Sequence, residues 1–338
     1  MKTALVVAPG RGSYGRDSLG ALKGQASAAV NAFDAWRSAN GRPTVRDLDQ
    51  RAKYDLKEHV AGEHASILTA GVSFADWEAI DRTRIDVVAV TGNSMGFYTA
   101  LGISGALDLD ATARLVDTMG GYQEKNVLGG QILYPLVGDD WRRDPALEAV
   151  VADAVATTEH LYWSIHLGGQ AVLGGTDEAL AAATAKLPAR TIGAHTFPLR
   201  LPLHSAFHTP VMTETAERAI ADLADLPFRA PALPLVDGTG RVWRPRITDP
   251  SALLFYTLGP QVTEPFDFTA AVRVALREYA PDLVVLLGPG NPLGSIVAQI
   301  LIAEGWSGVR SREDFMKRQE TDPIVVAMRW PEQRRLVA

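Results

Sequence analysis

The stretch Ile85-Asp-Val-Val-Ala-Val90, followed at once by Thr91-Gly-Asn-Ser-Met-Gly96, decides the fold of this chain. The first part is a β-branched apolar run and predicts a buried strand, whereas the glycines of the second part predict a sharp turn. The run from Tyr98 to Ile103 then predicts a helix. A buried strand that enters a helix through such a turn is typical of a parallel sheet covered by helices on both faces.

The same arrangement occurs at two other places. Ala4 to Ala8 is a short apolar run before Pro9-Gly-Arg-Gly-Ser13, and Leu283 to Leu287 precedes Gly288-Pro-Gly-Asn291. Ligands of parallel sheets bind at the carboxyl ends of the strands, so we expect the three glycine-rich loops to converge on one site. The sequence therefore predicts an α/β fold with a parallel, hydrolase-like sheet.

A second unit is predicted between residues 127 and 198, where the pattern changes. Its elements are a strand (129–137), a helix (144–156), a strand pair (162–173), a helix (176–185) and a strand (190–199). This order matches a small ferredoxin-like α+β unit. We expect residues 127–198 to be inserted into a large α/β catalytic domain formed by residues 1–126 and 199–338. The charged stretch 310–338 is expected to lie at the periphery.

Composition argues against several classes of function. Of the 338 residues 47% are hydrophobic, which is enough for a sizeable core, and the net charge of −6 argues against nucleic acid as a partner. The absence of cysteine excludes disulfides, thiolate zinc sites and a cysteine nucleophile. No metal-binding spacing or dinucleotide motif is present. With no predicted membrane span or signal peptide, we expect a cytoplasmic protein without a membrane partner.

Ser94 is the candidate nucleophile. It lies in a G-x-S-x-G pattern between a predicted strand and a predicted helix, and Gly92 and Gly96 permit the turn that exposes its hydroxyl. The N-terminus of the helix favours a developing oxyanion, and Met95 can donate its backbone N–H to it. The pattern therefore predicts a serine that attacks a carbonyl carbon.

The base for this serine is sought among seven histidines. Two of them, His204 and His208, stand four residues apart in an irregular segment that ends at Pro210. Such a segment can hold an imidazole over a cleft. The residues alone favour neither of the two.

Five separated segments resemble the malonyl-CoA:acyl-carrier-protein transacylase family and the acyltransferase domains of polyketide synthases. They are, in chain order, Pro9-Gly-Arg-Gly-Ser13, Gly92-Asn-Ser-Met-Gly96, Gly168-Gly-Gln-Ala-Val-Leu-Gly-Gly175, Ser205-Ala-Phe-His-Thr-Pro210 and Gly288-Pro-Gly-Asn-Pro-Leu293. The resemblance spans about residues 3 to 305. It implies a stand-alone, trans-acting acyltransferase of fatty-acid or polyketide synthesis. Its substrate would be a coenzyme A or phosphopantetheine thioester, its partner an acyl carrier protein, and it would bind no cofactor.

The resemblance also assigns catalytic roles. It makes His208 the base and His204 a neighbour. In the family a backbone carbonyl orients the histidine, and the matching segment assigns this carbonyl to Asp267, with the Asp267 carboxylate as an alternative. The oxyanion hole would consist of the backbone N–H groups of Arg11 and Met95.

Six side chains are expected in the substrate pocket on the same grounds. They are Asn93, Phe97, Met119, His166, Gln170 and Phe207. Gln170 matches a glutamine of the family's pocket, and His166 stands where asparagine is usual. Asn93 replaces a usual histidine and Phe97 a common glutamate, so the pocket is expected to be more apolar than a malonyl pocket.

The chain departs from the family at Met119. Malonyl-transferring members have an arginine there, which holds the free carboxylate of the substrate. A thioether cannot donate hydrogen bonds to a carboxylate, so we expect an acyl group that lacks a terminal carboxylate. One alternative is that Met119 only fills core space and says nothing about the substrate. Another is a malonyl transferase in which a different cation binds the carboxylate, and Arg11 is that cation if its side chain points inward.

Two further alternatives concern the reaction. Water as the acceptor would make the protein an editing acyl hydrolase that acts on acyl-carrier-protein thioesters. A chain that keeps only the fold would be a non-catalytic scaffold that binds a carrier protein. The presence of both Ser94 and His208 argues against the scaffold.

Overall fold

The structure of the chain is a computed structural model that describes residues 1–122 and 127–338. The predicted domain boundary at residue 126 therefore lies outside the described residues. The strands are β1 (Lys2–Ala8), β2 (Ile85–Gly92), β3 (Gly130–Pro135), β4 (Leu161–Leu167), β5 (Gln170–Gly175), β6 (Arg190–Ile192), β7 (His195–Phe197), β8 (Leu199–Arg200), β9 (Leu235–Val236), β10 (Val242–Trp243), β11 (Phe266–Asp267), β12 (Leu283–Leu286) and β13 (Val325–Ala327).

The helices cover both sheets and connect many of their strands. They are α1 (Ala28–Ala39), α2 (Val45–Asp49), α3 (Leu56–His59), α4 (Gly62–Ala79), α5 (Gly96–Ile103), α6 (Leu109–Gly121), α7 (Pro145–Thr157), α8 (Asp177–Lys186), α9 (Thr213–Leu223), α10 (Pro250–Leu258), α11 (Pro260–Thr263), α12 (Phe268–Tyr279), α13 (Gly294–Glu304), α14 (Arg312–Thr321) and α15 (Pro331–Arg334). Short 3-10 turns occur at Arg11–Ser13, Arg16–Ser18, Pro210–Met212 and Trp306–Gly308.

The main sheet has six strands in the order β10-β9-β2-β1-β12-β13, and only β9 and β10 pair antiparallel. The central strand β1 is fully buried from Ala4 to Ala8, as expected for a strand covered on both faces. Ala8 pairs with Gly92 at the end of β2, and Val7 pairs with Leu286 at the end of β12. The three strands thus end side by side, which confirms the predicted parallel sheet and brings its glycine-rich loops together.

The second sheet has the order β11-β4-β5-β3-β8, and β3, β4, β5 and β8 pair antiparallel. With α7 and α8 these strands form the predicted ferredoxin-like unit. Its own small core includes Tyr134 of β3, Val151 of α7 and Leu180 of α8. Two strands, β8 and β11, come from outside residues 127–198, and the division of the chain at 127 and 198 stays a prediction.

The prediction of a single last strand over residues 190–199 is wrong. β6 and β7 pair with each other in a separate two-stranded hairpin, and β8 then pairs with β3. Gly193 turns the hairpin with a φ of +59°, a value that glycine adopts without steric cost. Pro198 follows β7 and has no N–H to continue a ladder. The chain therefore breaks twice where the pattern indicated one strand.

The C-terminal stretch 310–338 is part of the main sheet and is not peripheral as predicted. The strand β13 pairs with β12 in the main sheet and is buried, because Ile324 to Met328 is an apolar run. Further on, Arg334 forms an ion pair with the buried carboxylate of Asp76. Asp76 also accepts the N–H of Gly288 at 2.7 Å, so the stretch supports the loop that follows β12. Within residues 1–122 and 127–338, no helix combines the length and apolar content needed to cross a membrane.

Candidate active site

Ser94 lies in the sharp turn between β2 and α5. Its φ is +54°, in the left-handed region that a residue with a side chain rarely adopts. Both flanking glycines are required by close approach: a Cβ on Gly92 would collide with the backbone of Gly96, and a Cβ on Gly96 would collide with that of Ala8. This packing holds the strained serine at the end of the sheet.

His208 is the histidine that contacts the serine. The Ser94 Oγ and the His208 Nε2 are 2.7 Å apart, and His208 is 1% exposed. His208 also has a left-handed backbone, with a φ of +62°. The other candidate, His204, contacts the carbonyl of Pro202 through Nδ1 at 2.8 Å and lies beside Gly12. The structure therefore separates the two histidines that the residues alone left equivalent.

The carbonyl that orients His208 belongs to Gln261 and not to Asp267. The His208 Nδ1 lies 2.6 Å from the Gln261 backbone oxygen. Because a carbonyl only accepts, Nδ1 carries the proton and Nε2 is free to accept from the serine hydroxyl. Asp267 ends β11, pairs with β4 through its backbone and is the N-cap residue of α12, where its carboxylate accepts the N–H of Ala270 at 2.7 Å. The expectation for Asp267 is wrong because that carboxylate is used as a helix cap.

Gln261 also contacts the nucleophile through its side chain. The Gln261 Nε2 donates to the Ser94 backbone oxygen at 3.2 Å, and the Tyr98 hydroxyl donates to Gln261 Oε1 at 2.6 Å. Gln261 and Tyr98 are both buried. Sequence analysis missed both residues, since a backbone acceptor and a buried tyrosine carry no motif of their own.

The loop after β1 lies against the serine. A Cβ on Gly10 would be 3.9 Å from the Ser94 Cβ, so the next residue, Arg11, is close to the nucleophile. Among the described residues, no hydrogen bond uses the backbone N–H of Arg11 or of Met95. Two such donors beside a serine match the requirements of an oxyanion hole.

A cavity of about 440 Å³ opens at Ser94 and extends between the two sheets. Four of the six predicted pocket residues line it: Asn93, Met119, Gln170 and Phe207. Further lining comes from the aromatic group of Tyr14, Tyr54 and His59, in which the rings of Tyr54 and His59 stack at 4.9 Å. Apolar side chains such as Leu133, Ile165 and Val172 complete the lining, so the wall is mostly apolar.

Phe97 and His166 do not line the cavity that the described residues form. Phe97 is fully buried and packs edge-to-face on Tyr256 at 5.5 Å, behind the serine turn. On β4, Ile165 and Leu167 line the cavity, so His166 between them points to the opposite side and stacks on Trp163 at 4.6 Å. These two pocket predictions are wrong because core packing and strand alternation turn the side chains away.

Arg11 places a buried cation in this cavity. The residue is 8% exposed, and its Nη2 donates to the Leu203 carbonyl at 2.7 Å. Its Nη1 is buried without a hydrogen-bond partner among the described residues, and no carboxylate there forms an ion pair with it. Burial lowers the pKa of Arg11 to about 10, so the guanidinium remains charged at neutral pH. The side chain points inward, as required by the alternative in which Arg11 and not an arginine at position 119 holds the substrate carboxylate.

The electrostatics of His208 suit a base. Burial lowers the pKa of His208 to about 4, and its hydrogen bond to the Gln261 carbonyl opposes this shift only partly. The imidazole is therefore neutral at physiological pH and able to accept a proton. Over residues 1–122 and 127–338, no cluster of three or more His, Asp or Glu side chains is arranged to hold a metal ion.

We expect the reaction of Ser94 to keep its rate down to about pH 5 and to slow as the pH falls through about 4, because protonated His208 cannot accept the serine proton. The measurement is the rate constant for labelling of Ser94 by a fluorophosphonate, with circular dichroism at each pH to show that the protein is folded. An inflection near the ordinary histidine value of about 6.5 would contradict this picture of a desolvated base.

Comparison with known proteins gives a consistent set of relatives. No family model matches the chain. The malonyl CoA-acyl carrier protein transacylase of Escherichia coli strain K12 is 29% identical over 280 residues, which cover 82% of each chain. The phenolphthiocerol synthesis polyketide synthase type I Pks15/1 of Mycobacterium marinum is 25% identical over 336 residues. That match covers 90% of this chain and 15% of the synthase.

Solved structures share the fold. An acyl carrier protein S-malonyltransferase of Vibrio cholerae superposes with a TM-score of 0.71 at 24% identity, covering 89% of this chain and 94% of that one. A malonyl-transacylase solved in complex with its type II polyketide synthase acyl-carrier protein gives 0.73 at 19% identity, covering 99% and 98%. At these identities the likeness is one of fold.

Proposed function

We propose, from the premise that this chain is an acyltransferase of the malonyl-CoA:acyl-carrier-protein transacylase family, that it moves an acyl group between thioesters through an acyl-Ser94 intermediate. The observation that carries the proposal is the chain of contacts from Ser94 Oγ through His208 to the Gln261 carbonyl. A half-buried serine and a buried histidine, whose Oγ and Nε2 atoms are 2.7 Å apart, form with two unused N–H donors the arrangement that acyl transfer needs.

The reaction proceeds in two half-reactions. His208 Nε2 accepts the proton of Ser94 Oγ while Oγ attacks the thioester carbonyl, and the N–H groups of Arg11 and Met95 stabilise the oxyanion. The C–S bond then breaks, and the leaving thiolate takes the proton from His208. In the second half-reaction His208 deprotonates the acceptor thiol, whose thiolate attacks the acyl-Ser94 ester. The ester C–O bond then breaks, and Ser94 Oγ takes the proton back from His208. No bound cofactor takes part in either step.

The acceptor that we propose is the phosphopantetheine thiol of an acyl carrier protein in fatty-acid or polyketide synthesis. Coenzyme A carries the same arm and serves as donor. Acyl-Ser94 formed from an acyl-CoA should persist without an acceptor and disappear when a carrier protein bearing its phosphopantetheine arm is added. Rapid loss to water without carrier protein would instead identify an acyl hydrolase. Intact-protein mass spectrometry of both samples separates the two outcomes.

The acyl group favoured by the cavity carries a carboxylate. The buried Arg11 guanidinium has no counter-charge among the described residues, and its hydrogen bond to the Leu203 carbonyl replaces only part of its lost hydration. A substrate carboxylate would replace the rest through charge-assisted hydrogen bonds. Arg11 offers an unpartnered Nη1 for this purpose. Met119, which lines the same cavity and is 3% exposed, supports a second candidate: an acyl group without a terminal carboxylate.

Replacing Arg11 by glutamine should decide between the two acyl classes. Charge-assisted hydrogen bonds contribute about 1.5–3 kcal/mol each, so we expect kcat/KM for malonyl-type donors to fall at least tenfold. The backbone N–H remains, so kcat/KM for acetyl and butyryl donors should stay within about threefold. The measurement is the rate of acyl-Ser94 formation with each thioester.

Two variants at Met119 complete this experiment. Met119→Leu conserves the volume of the side chain and is the matched control. If the wild type prefers acetyl or butyryl donors and Arg11→Gln changes nothing, the second candidate is correct. Met119→Arg should then shift the preference toward malonyl, because it supplies the fork that pairs with a carboxylate.

A further inference from the structure

Gln261 contacts both reacting residues, the His208 ring through its backbone oxygen and the Ser94 backbone through its side chain. Its backbone oxygen accepts the N–H of His208 Nδ1 at 2.6 Å, and its side-chain Nε2 donates to the backbone oxygen of Ser94 at 3.2 Å. The next residue contributes as well, since the Val262 oxygen accepts the His208 backbone N–H at 2.8 Å. The base and the nucleophile are thus both attached to the short helix α11.

The Ser94 carbonyl sets the orientation of the Gln261 amide, and the Tyr98 hydroxyl holds its other end. An amide has one accepting and one donating end, and a rotation of 180° exchanges them. Because the Ser94 carbonyl only accepts, Nε2 faces it, and Oε1 therefore faces the Tyr98 hydroxyl, which donates to it at 2.6 Å. The opposite orientation would bring Oε1 against the Ser94 carbonyl, where two acceptors repel. Burial raises the pKa of Tyr98, so its hydroxyl keeps its proton.

The location of Tyr98 makes this contact a link between elements. Tyr98 belongs to α5, the helix that begins directly behind the nucleophile, whereas Gln261 belongs to α11. A helix of four residues has little internal stability, so its position depends on the contacts that it makes. The Tyr98 to Gln261 hydrogen bond docks α11, together with the carbonyl that orients His208, onto the helix of Ser94.

We propose that Tyr98 and the side-chain amide of Gln261 form a clamp that sets the position of His208 relative to Ser94, which makes Tyr98 a positioning residue. The clamp rests on the proposed acyl-Ser94 chemistry for its use, although its geometry is independent of the substrate. Small displacements of a base from its nucleophile reduce rates strongly, because proton transfer requires hydrogen-bond reach. Tyr98 lines the cavity, but its hydroxyl donates to Gln261 Oε1 and forms no hydrogen bond with Ser94 Oγ or His208 among the described residues.

The test compares Tyr98→Phe with Tyr256→Phe. Tyr98→Phe should lower kcat for acyl transfer by about tenfold or more and leave KM within about twofold, since phenylalanine keeps the aromatic ring of this cavity-lining residue. Tyr256→Phe is the matched control. Tyr256 is also a buried tyrosine that packs on α5, through Phe97, but its hydroxyl accepts the N–H of Gly238 at 3.0 Å. A role in folding alone would lower Tm in both variants and leave kcat below Tm unchanged.

A double-mutant cycle tests the clamp itself. Gln261→Leu keeps the backbone carbonyl and removes the amide, so it should slow fluorophosphonate labelling of Ser94 by about as much as Tyr98→Phe, and the double variant should be no slower. Additive effects, or wild-type labelling in Tyr98→Phe, would overturn the clamp. If the wild type is labelled but accepts no acyl thioester, the proposed function fails while the labelling cycle still decides on the clamp.

Discussion

Replacing Ser94 by alanine is expected to abolish covalent acylation and turnover. The hydroxyl is the group that forms the ester, and it lies within hydrogen-bond reach of His208 Nε2. The loss should reach the detection limit of a mass-spectrometric assay in which the wild type gains one acyl group. Turnover should fall by about three orders of magnitude or more, as is usual when a nucleophile is removed.

The alanine variant should remain folded, because the turn depends on Gly92 and Gly96 and not on the hydroxyl. Circular dichroism and thermal unfolding, measured beside the acylation assay, provide the control. Stable acylation of folded Ser94→Ala by a good thioester donor would show that the acyl group is carried elsewhere. The assignment of the nucleophile would then be wrong.

The second large effect is expected at His208. Its replacement by alanine should slow acylation by about a hundredfold or more, because a neutral serine reacts poorly without a base in hydrogen-bond reach. His204→Ala provides a matched control, since His204 is a histidine of the same segment that contacts a carbonyl and does not contact Ser94. We expect the His204 variant to lose no more than a few-fold in rate.

The measurement is the single-turnover rate of acyl-Ser94 formation in both histidine variants. Single-turnover conditions separate the chemical step from product release. A larger loss in His204→Ala than in His208→Ala would contradict the assignment of the base. In that case the contact of 2.7 Å between Ser94 and His208 would have no catalytic meaning.

The elements that could be predicted from sequence are those with a local signal. The apolar strand before Gly92 and the pattern around Ser94 predicted both the parallel sheet and the turn, because short-range sterics decide them. The charge of the stretch 310–338 predicted a peripheral position for it. The apolar run from Ile324 to Met328 was the signal that it contained a sheet strand, and β13 is that strand.

The site residues that could not be predicted depend on contacts distant in sequence. Gln261 orients His208 from 53 positions away through a backbone oxygen, which every residue possesses. Asp267 had the expected chemistry but caps a helix instead. Phe97 and His166 were assigned to the pocket by position, whereas the direction of each side chain is set by packing and by strand alternation. Such features require the assembled structure.

Ser94 and His208 share a left-handed backbone, which has a consequence for engineering this protein. Such a conformation costs roughly 1–2 kcal/mol in a residue with a side chain and almost nothing in glycine. Glycine at either position would therefore relax the chain while removing the chemistry. At Ser94, which is only half-buried, a variant library selected for heat resistance alone would be enriched in inactive glycine variants, so thermostabilisation of this protein has to be scored by turnover from the first round. At His208, the loss of a buried side chain and of its hydrogen bond to Gln261 outweighs the relieved strain.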